Sequence, residues 1–207
     1  MLFSGVDLWR YGSFAHGGVV WSPRGLDREG FTLKLLLSGG AYRYISGALG
    51  NREVSGREVV AQFMPGWRFK FDRAELRVFA GLDAQNHKLT PDDPSSGLRR
   101  QDFGVRAAFD FWYEPSAETM LAVDGAVSSI DSQYSLRGAF GWRAFDSFYI
   151  GPEVQRFNSE GYRQTRVGVH VTAIRTNFGE WSVASGWGTD SGNRDGPYLR
   201  VGVITRR

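Results

Sequence analysis

The 207-residue sequence contains no cysteine. That excludes a disulfide framework, thiolate metal sites and cysteine nucleophiles. Lysine is almost missing. Lys34, Lys70 and Lys88 are the only three, so 22 of the 25 basic residues are arginine. No stretch approaches the ~18 consecutive apolar residues of a membrane helix. The longest apolar run, 31–37, is broken by Thr32 and Lys34. An excess of charge of one sign is absent too: 22 acids leave a formal net charge of +3. A surface built for nucleic acid is therefore not expected. Metal-ligand spacings such as His-x-x-x-His are missing, and no glycine-rich phosphate loop precedes a helix, so no metal and no cofactor are expected. Asp92-Asp93 in a proline-flanked loop could touch calcium, but a solvated turn is the ordinary reading.

What is present is glycine (27 residues), aromatics (14%) and a period of two. Alternation of apolar and polar residues marks a strand with two different faces. Ala74, Leu76, Val78, Ala80 and Leu82 share one face, against Glu75, Arg77, Gly81 and Asp83. Phe103, Val105, Ala107, Phe109, Phe111 and Tyr113 oppose Gly104, Arg106, Ala108 and Asp110. Val167, Val169 and Val171 oppose Arg166, Gly168 and His170. Roughly twelve such runs fill the chain. They lie near 2–11, 14–22, 30–46, 52–68, 73–89, 97–113, 118–130, 134–145, 148–158, 162–176, 180–189 and 197–206.

The connections alternate in kind. Short turns at 70–73, 114–116, 145–147 and 177–179 alternate with longer, polar connections at 46–51, 90–97 and 189–196. Short turns at one end and long loops at the other is the plan of an outer-membrane barrel. Connections 22–30, 11–13 and 131–133 fit that plan less well. A tilted spanning strand needs ~9–11 residues, so twelve strands use ~130 of the chain. The expectation is one domain over 1–207: an all-β, up-and-down, antiparallel transmembrane barrel of about twelve strands. An even count puts both termini at the short-turn end. Trp21, Trp67, Tyr113, Trp142, Phe148 and Trp181 fall at that end of their strands, where an interfacial girdle in contact with outer-membrane lipid needs aromatics. A soluble β-sandwich or lipocalin-like barrel is the rival reading; its solvated face would be rich in lysine and glutamate, unlike this one. Pro65 and Pro152 lie inside expected strands beside Gly66 and Gly151. Bulges are expected there, because proline lacks an N–H for the ladder.

With apolar faces toward lipid, the lumen carries Lys34, Tyr42, Glu58, Gln62, Arg68, Glu75, Arg77, Asp83, Arg106, Asp110, Asp124, Arg137, Arg143, Glu153, Gln155, Arg166, His170 and Arg200. Charges in a narrow lumen need partners, so arginines should pair with acids. Three readings follow. The network plugs the barrel, or it lines a track for a saccharide, or it hides a catalytic site. Histidine is the usual start of the last. His16, His87 and His170 are the only three, and none has an evident nucleophile beside it. No catalysis is expected.

The segments 42–47 and 64–68 resemble the cellulose biosynthesis protein BcsS family of alphaproteobacteria. So do 79–83 with His87, 91–94, 151–153, 161–164 and 166–172. The resemblance runs over nearly the whole chain. It implies an outer-membrane barrel that accompanies the cellulose synthase and export machinery, with the glucan chain as a further partner. It implies no active-site residues. The segment 1–7 lacks the basic and apolar regions of a signal peptide. An outer-membrane destination then implies a leader trimmed from this chain. Barrels of this kind typically end on an aromatic, whereas this chain ends Ile204-Thr205-Arg206-Arg207.

Overall fold

The computed structural model describes residues 1–97, 101–159 and 162–205. The expected first residues of the sixth strand (98–100), the end of the twelfth (206) and Gly161 lie outside them. The strands are β1 (Leu2–Trp9), β2 (Gly12–Trp21), β3 (Gly30–Ser46), β4 (Arg52–Lys70), β5 (Ala74–Thr90) and β6 (Gln101–Ser116). They continue as β7 (Thr119–Ser128), β8 (Tyr134–Ala144), β9 (Phe148–Ser159), β10 (Tyr162–Thr176), β11 (Gly179–Asp190) and β12 (Asp195–Thr205). One 3₁₀ turn, Ile130–Ser132, follows β7. Each strand pairs antiparallel with the next, and β1 pairs with β12 from Leu2↔Thr205 to Trp9↔Tyr198. The result is a closed twelve-stranded barrel.

Period two sets which face looks where. The outward face carries Leu37 (60% exposed), Val59, Phe63, Leu82 (64%), Val105, Val154, Val167 and Val169. In water such a belt would be an aggregation surface; in hydrocarbon it is the matched solvent. The inward face carries the polar residues, and the interior has little conventional core. Among the described residues, an apolar cluster of Met120, Ala122, Ala139, Tyr149 and Ala173 lies against Trp112. The start of β1, the end of β12 and the connections 22–29, 71–73, 117–118, 145–147 and 177–178 lie at one end, called here the turn end. The other is the loop end. The contrast between the ends is blunted as expected: 22–29 is long at the turn end, and Arg10–Tyr11 is a tight turn at the loop end.

Two expectations need correction. Neither Pro65 nor Pro152 sits in a bulge. Phe63↔Leu82 and Gly66↔Phe79 keep one register across β4–β5. Ala139↔Glu153 and Trp142↔Ile150 do the same across β8–β9. The ladder is interrupted only locally, on one side of each proline. Glycine makes this tolerable by letting the backbones close up. A Cβ on Gly81 would lie 2.0 Å from the Phe63 carbonyl oxygen, and one on Gly151 would lie 2.0 Å from that of Phe140. The register breaks lie elsewhere, between Tyr113 and Ser116 and between Val171 and Ile174.

This close approach is testable. Gly81→Val should cost about 2 kcal/mol through overpacking. Gly138→Ala, where an added Cβ meets only Val154 Cγ1 at 3.9 Å, should be nearly silent. The measurement is the temperature at which the compact band of the detergent-refolded barrel shifts on a semi-native gel.

Candidate functional site

The lumen holds two cavities of about 930 and 900 Å³, one toward each end. Asp7, His16, Lys34, Asp110, Asp124 and Ser135, together with the apolar Leu36 and Phe157, line both of them. Those residues form a waist where the two cavities meet. The walls around it are crossed by ion pairs. Lys34 Nζ lies 3.7 Å from Asp110, and Arg137 donates to Asp124 at 2.6 Å. Arg200 donates to Glu153 at 2.6 Å, while Arg137 lies 3.6 Å from the same carboxylate and the Tyr198 hydroxyl donates to it at 3.0 Å. Arg166 Nη1 donates to both oxygens of Asp7, at 2.7 and 2.8 Å. Its guanidinium lies 4.8 Å from the Phe157 ring centroid and 5.1 Å from that of Tyr198.

A second cluster gathers side chains of β3, β5, β6 and β7 with Gln133, just before β8. Asp83 is buried and accepts from Gln85 (3.0 Å), Ser128 (2.7 Å) and Arg106 (3.4 Å). Gln85 exchanges hydrogen bonds with Gln133 at 2.9 and 3.0 Å. Its carbonyl oxygen also lies 3.2 Å from His87 Nε2, and the Tyr42 hydroxyl lies 3.3 Å from His87 Nδ1. A chain of hydrogen bonds thus runs from Asp83 to the ring of Tyr42.

The structure brings Arg106 to Asp83, Arg137 to Asp124 and Glu153, and Arg200 to Glu153. Arg77 pairs within its own strand with Glu75 at 3.2 Å, a carboxylate that Arg68 shares at the same distance. Arg143 donates to the Ala117 carbonyl and the Tyr149 hydroxyl rather than to an acid. His170 bonds the Phe140 carbonyl at 3.1 Å, and His87 bonds Tyr42 and Gln85. Neither set of bonds reaches a serine hydroxyl. No metal-holding group of His, Asp and Glu is found among the described residues. Trp21, Trp67, Tyr113, Trp142, Phe148 and Trp181 all stand on outward-facing strand positions near the turn end.

Three features of the lumen were not singled out from the sequence. Asp7, the partner of Arg166, alternates with Val6 and Leu8, and that alternation marks it as inward-facing. The pair Asp190–Arg194, 2.7 Å apart, closes a loop. Trp9, Tyr11, Phe14 and Tyr44 join the expected Tyr42 in an aromatic set that lines the loop-end cavity.

The sequence profile of one family matches residues 1–207. The chain belongs to the cellulose biosynthesis protein BcsS family. No curated protein matches it. Among solved structures this BcsS-family barrel is similar to a KdgM porin, at 14% identity and a TM-score of 0.54 over 99% of each chain. A KdgM porin in complex with disordered oligogalacturonate is similar at 13% identity and a TM-score of 0.53, again over 99% of each chain. At this identity the likeness shows a shared barrel fold and not a shared ligand.

At the loop end of the BcsS-family barrel, connection 91–97 is tied to β3 through Tyr44. Its Asp93 accepts from the Tyr44 hydroxyl (2.9 Å) and from the Ser95 hydroxyl and amide (2.7 and 3.0 Å). The Ser46 and Ser95 hydroxyls, with the Ser95 amide and the Tyr44 hydroxyl, hold its carboxyl down to about 2. Because the value is depressed, the tether is complete above the ordinary carboxylate value of 3.8 and is lost as pH falls through about 2.

Two predictions follow from these clusters. Protection of the Ser95 amide, which donates to Asp93, against hydrogen exchange should hold at pH 3 to 4 once corrected for the intrinsic rate and fall only near pH 2; Asp93→Asn should lower it throughout, and equal protection would refute the tether. Asp83→Ala leaves Arg106 without its acid and strips acceptors from Gln85 and Ser128. It should cost about 3 kcal/mol, read as earlier unfolding of the compact band.

Proposed function

We propose that this barrel lies in the bacterial outer membrane and serves cellulose production there as a narrow, non-catalytic pore for saccharide. The observation that carries the reading is the hollow lumen. Two cavities of about 900 Å³ share a waist whose lining is mainly polar, with Leu36 and Phe157 as its apolar members. A purely structural barrel has no use for that volume, since eight strands already close around a filled interior. The apolar outward belt supports the membrane setting. Membership of the BcsS family supports the link to cellulose. The similar KdgM porin in complex with oligogalacturonate supports saccharide as the cargo class. The histidine environments support a barrel without catalysis, because each bonded imidazole serves as a tether in the wall. Association with the cellulose synthase and export machinery, or with the glucan chain itself, belongs to the same proposal.

The test is conductance of the refolded protein in a planar bilayer. Steady single-channel current is expected. Ser135→Trp, which adds an indole at the waist without touching an ion pair, should lower that current by about half or more, as the aperture narrows. A folded wild-type protein that stays silent would overturn the pore reading.

A further inference from the structure

The aromatic set at the loop end has a geometry that the pairing of charges does not require. Phe14 on β2 and Tyr42 and Tyr44 on β3 form a row climbing the inner wall toward the mouth. Phe14 and Tyr42 have ring centroids 6.5 Å apart and planes 17° apart. Tyr42 and Tyr44 are 6.3 Å and 25° apart. Two of the rings lean on the wall itself. A Cβ on Gly40 would lie 2.1 Å from Phe14 Cδ1, and one on Gly56 would lie 2.3 Å from Tyr42 Cζ. Each glycine removes the side chain that would otherwise lift its ring off the sheet. The two hydroxyls are tied down, Tyr42 to His87 and Tyr44 to Asp93. All three rings line the 900 Å³ cavity and remain partly exposed to it.

Near-parallel rings laid along a wall are a surface for flat, apolar ligand faces. A β-linked glucan presents such faces, because its hydroxyls are equatorial and its ring faces are C–H. The charges of the cavity agree with a neutral ligand. Of its arginines, Arg106, Arg166 and Arg194 are bonded to Asp83, Asp7 and Asp190, and the half-exposed Arg43 at the rim lies 3.6 Å from Glu53. An acidic saccharide would have to take a cation away from a partly buried carboxylate, and that separation is costly. Resting on the pore reading above, we infer that Phe14, Tyr42 and Tyr44 form a stacking surface for the sugar rings of a neutral β-linked glycan. Selectivity against uronic-acid chains follows from the arginines already being paired.

Binding and conduction are measured separately. Calorimetry on the detergent-refolded barrel uses cellohexaose and, as the acidic comparator, an oligogalacturonate of equal length. Cellohexaose should bind and the oligogalacturonate should bind at least tenfold more weakly. Phe14→Leu and Tyr42→Leu keep apolar volume but remove a ring, and each should weaken cellohexaose about tenfold, or about 1.4 kcal/mol. Tyr42→Phe keeps the ring and should stay within about threefold of the parent. The heat-shifting compact band certifies that each variant is folded. Equal or tighter binding of the acid, or undiminished binding by both leucine variants, would overturn the inference. A conducting barrel that binds no cellohexaose would overturn it and leave the pore standing. A silent barrel that binds cellohexaose through these rings would do the reverse.

Discussion

Closure of the backbone ladder is the constraint on which everything else in this molecule rests. In hydrocarbon an unpaired N–H or C=O costs several kcal/mol, so a sheet with an edge cannot span a membrane. Pairing of β1 with β12 removes the edge. Once the wall is closed, side chains are divided by parity alone. One set meets hydrocarbon and must be apolar; the other is shut inside and must find polar partners. The two prolines show how strict the constraint is. Each interrupts the ladder on one side only, and a glycine lets the strands close over the gap.

The interior is held by charge in place of apolar packing. Some of its ion pairs join neighbouring strands, as Arg137 on β8 joins Glu153 on β9, and others reach past them. Asp7 on β1 reaches Arg166 on β10, and Glu153 on β9 gathers Arg200 from β12 and Arg137 from β8. Such pairs are expensive to break one partner at a time. They brace the wall across the lumen without filling it, which is how a rigid barrel stays hollow. Arginine suits this role better than lysine, because its planar fork holds a fixed geometry and stacks on rings. Arg166 between Phe157 and Tyr198 does both. The scarcity of lysine in the sequence is the compositional trace of that architecture.

Much of the fold was legible because a barrel strand writes its two environments into alternate residues. Strand positions, the common end of the termini and the inward placement of Arg106, Asp110 and Glu153 all follow from parity. Phe79 shows where parity and polarity disagree. It sits on the inward row of β5, under Lys34 at 5.2 Å, but its apolar ring hides it among outward candidates. Partnership across the lumen was not legible. Asp7 and Arg166 lie 159 positions apart, and only ring closure and register bring them together. The prolines misled for a related reason. A missing N–H looks like a reason for a bulge until the close approach of the next strand, at Gly81 facing β4 and at Gly151 beside Pro152, is known. The aromatic row escaped notice because Phe14 and Tyr42 are joined through a strand pairing, while their glycine seats belong to the next strands over.

The strands differ greatly in length. β1 has 8 residues, whereas β3, β4 and β5 have 17, 19 and 17. At about 3.3 Å per residue, the sheet around β4 is more than twice as long as at β1. The rim is therefore lopsided, standing high on one side and low on the other. A lopsided rim gives the barrel an azimuth in the plane of the membrane. A filament leaving the lumen would meet a parapet on one flank and open space on the other, so its heading would be set by the rotation of the barrel. Any body that gripped the high side would thereby steer what emerges.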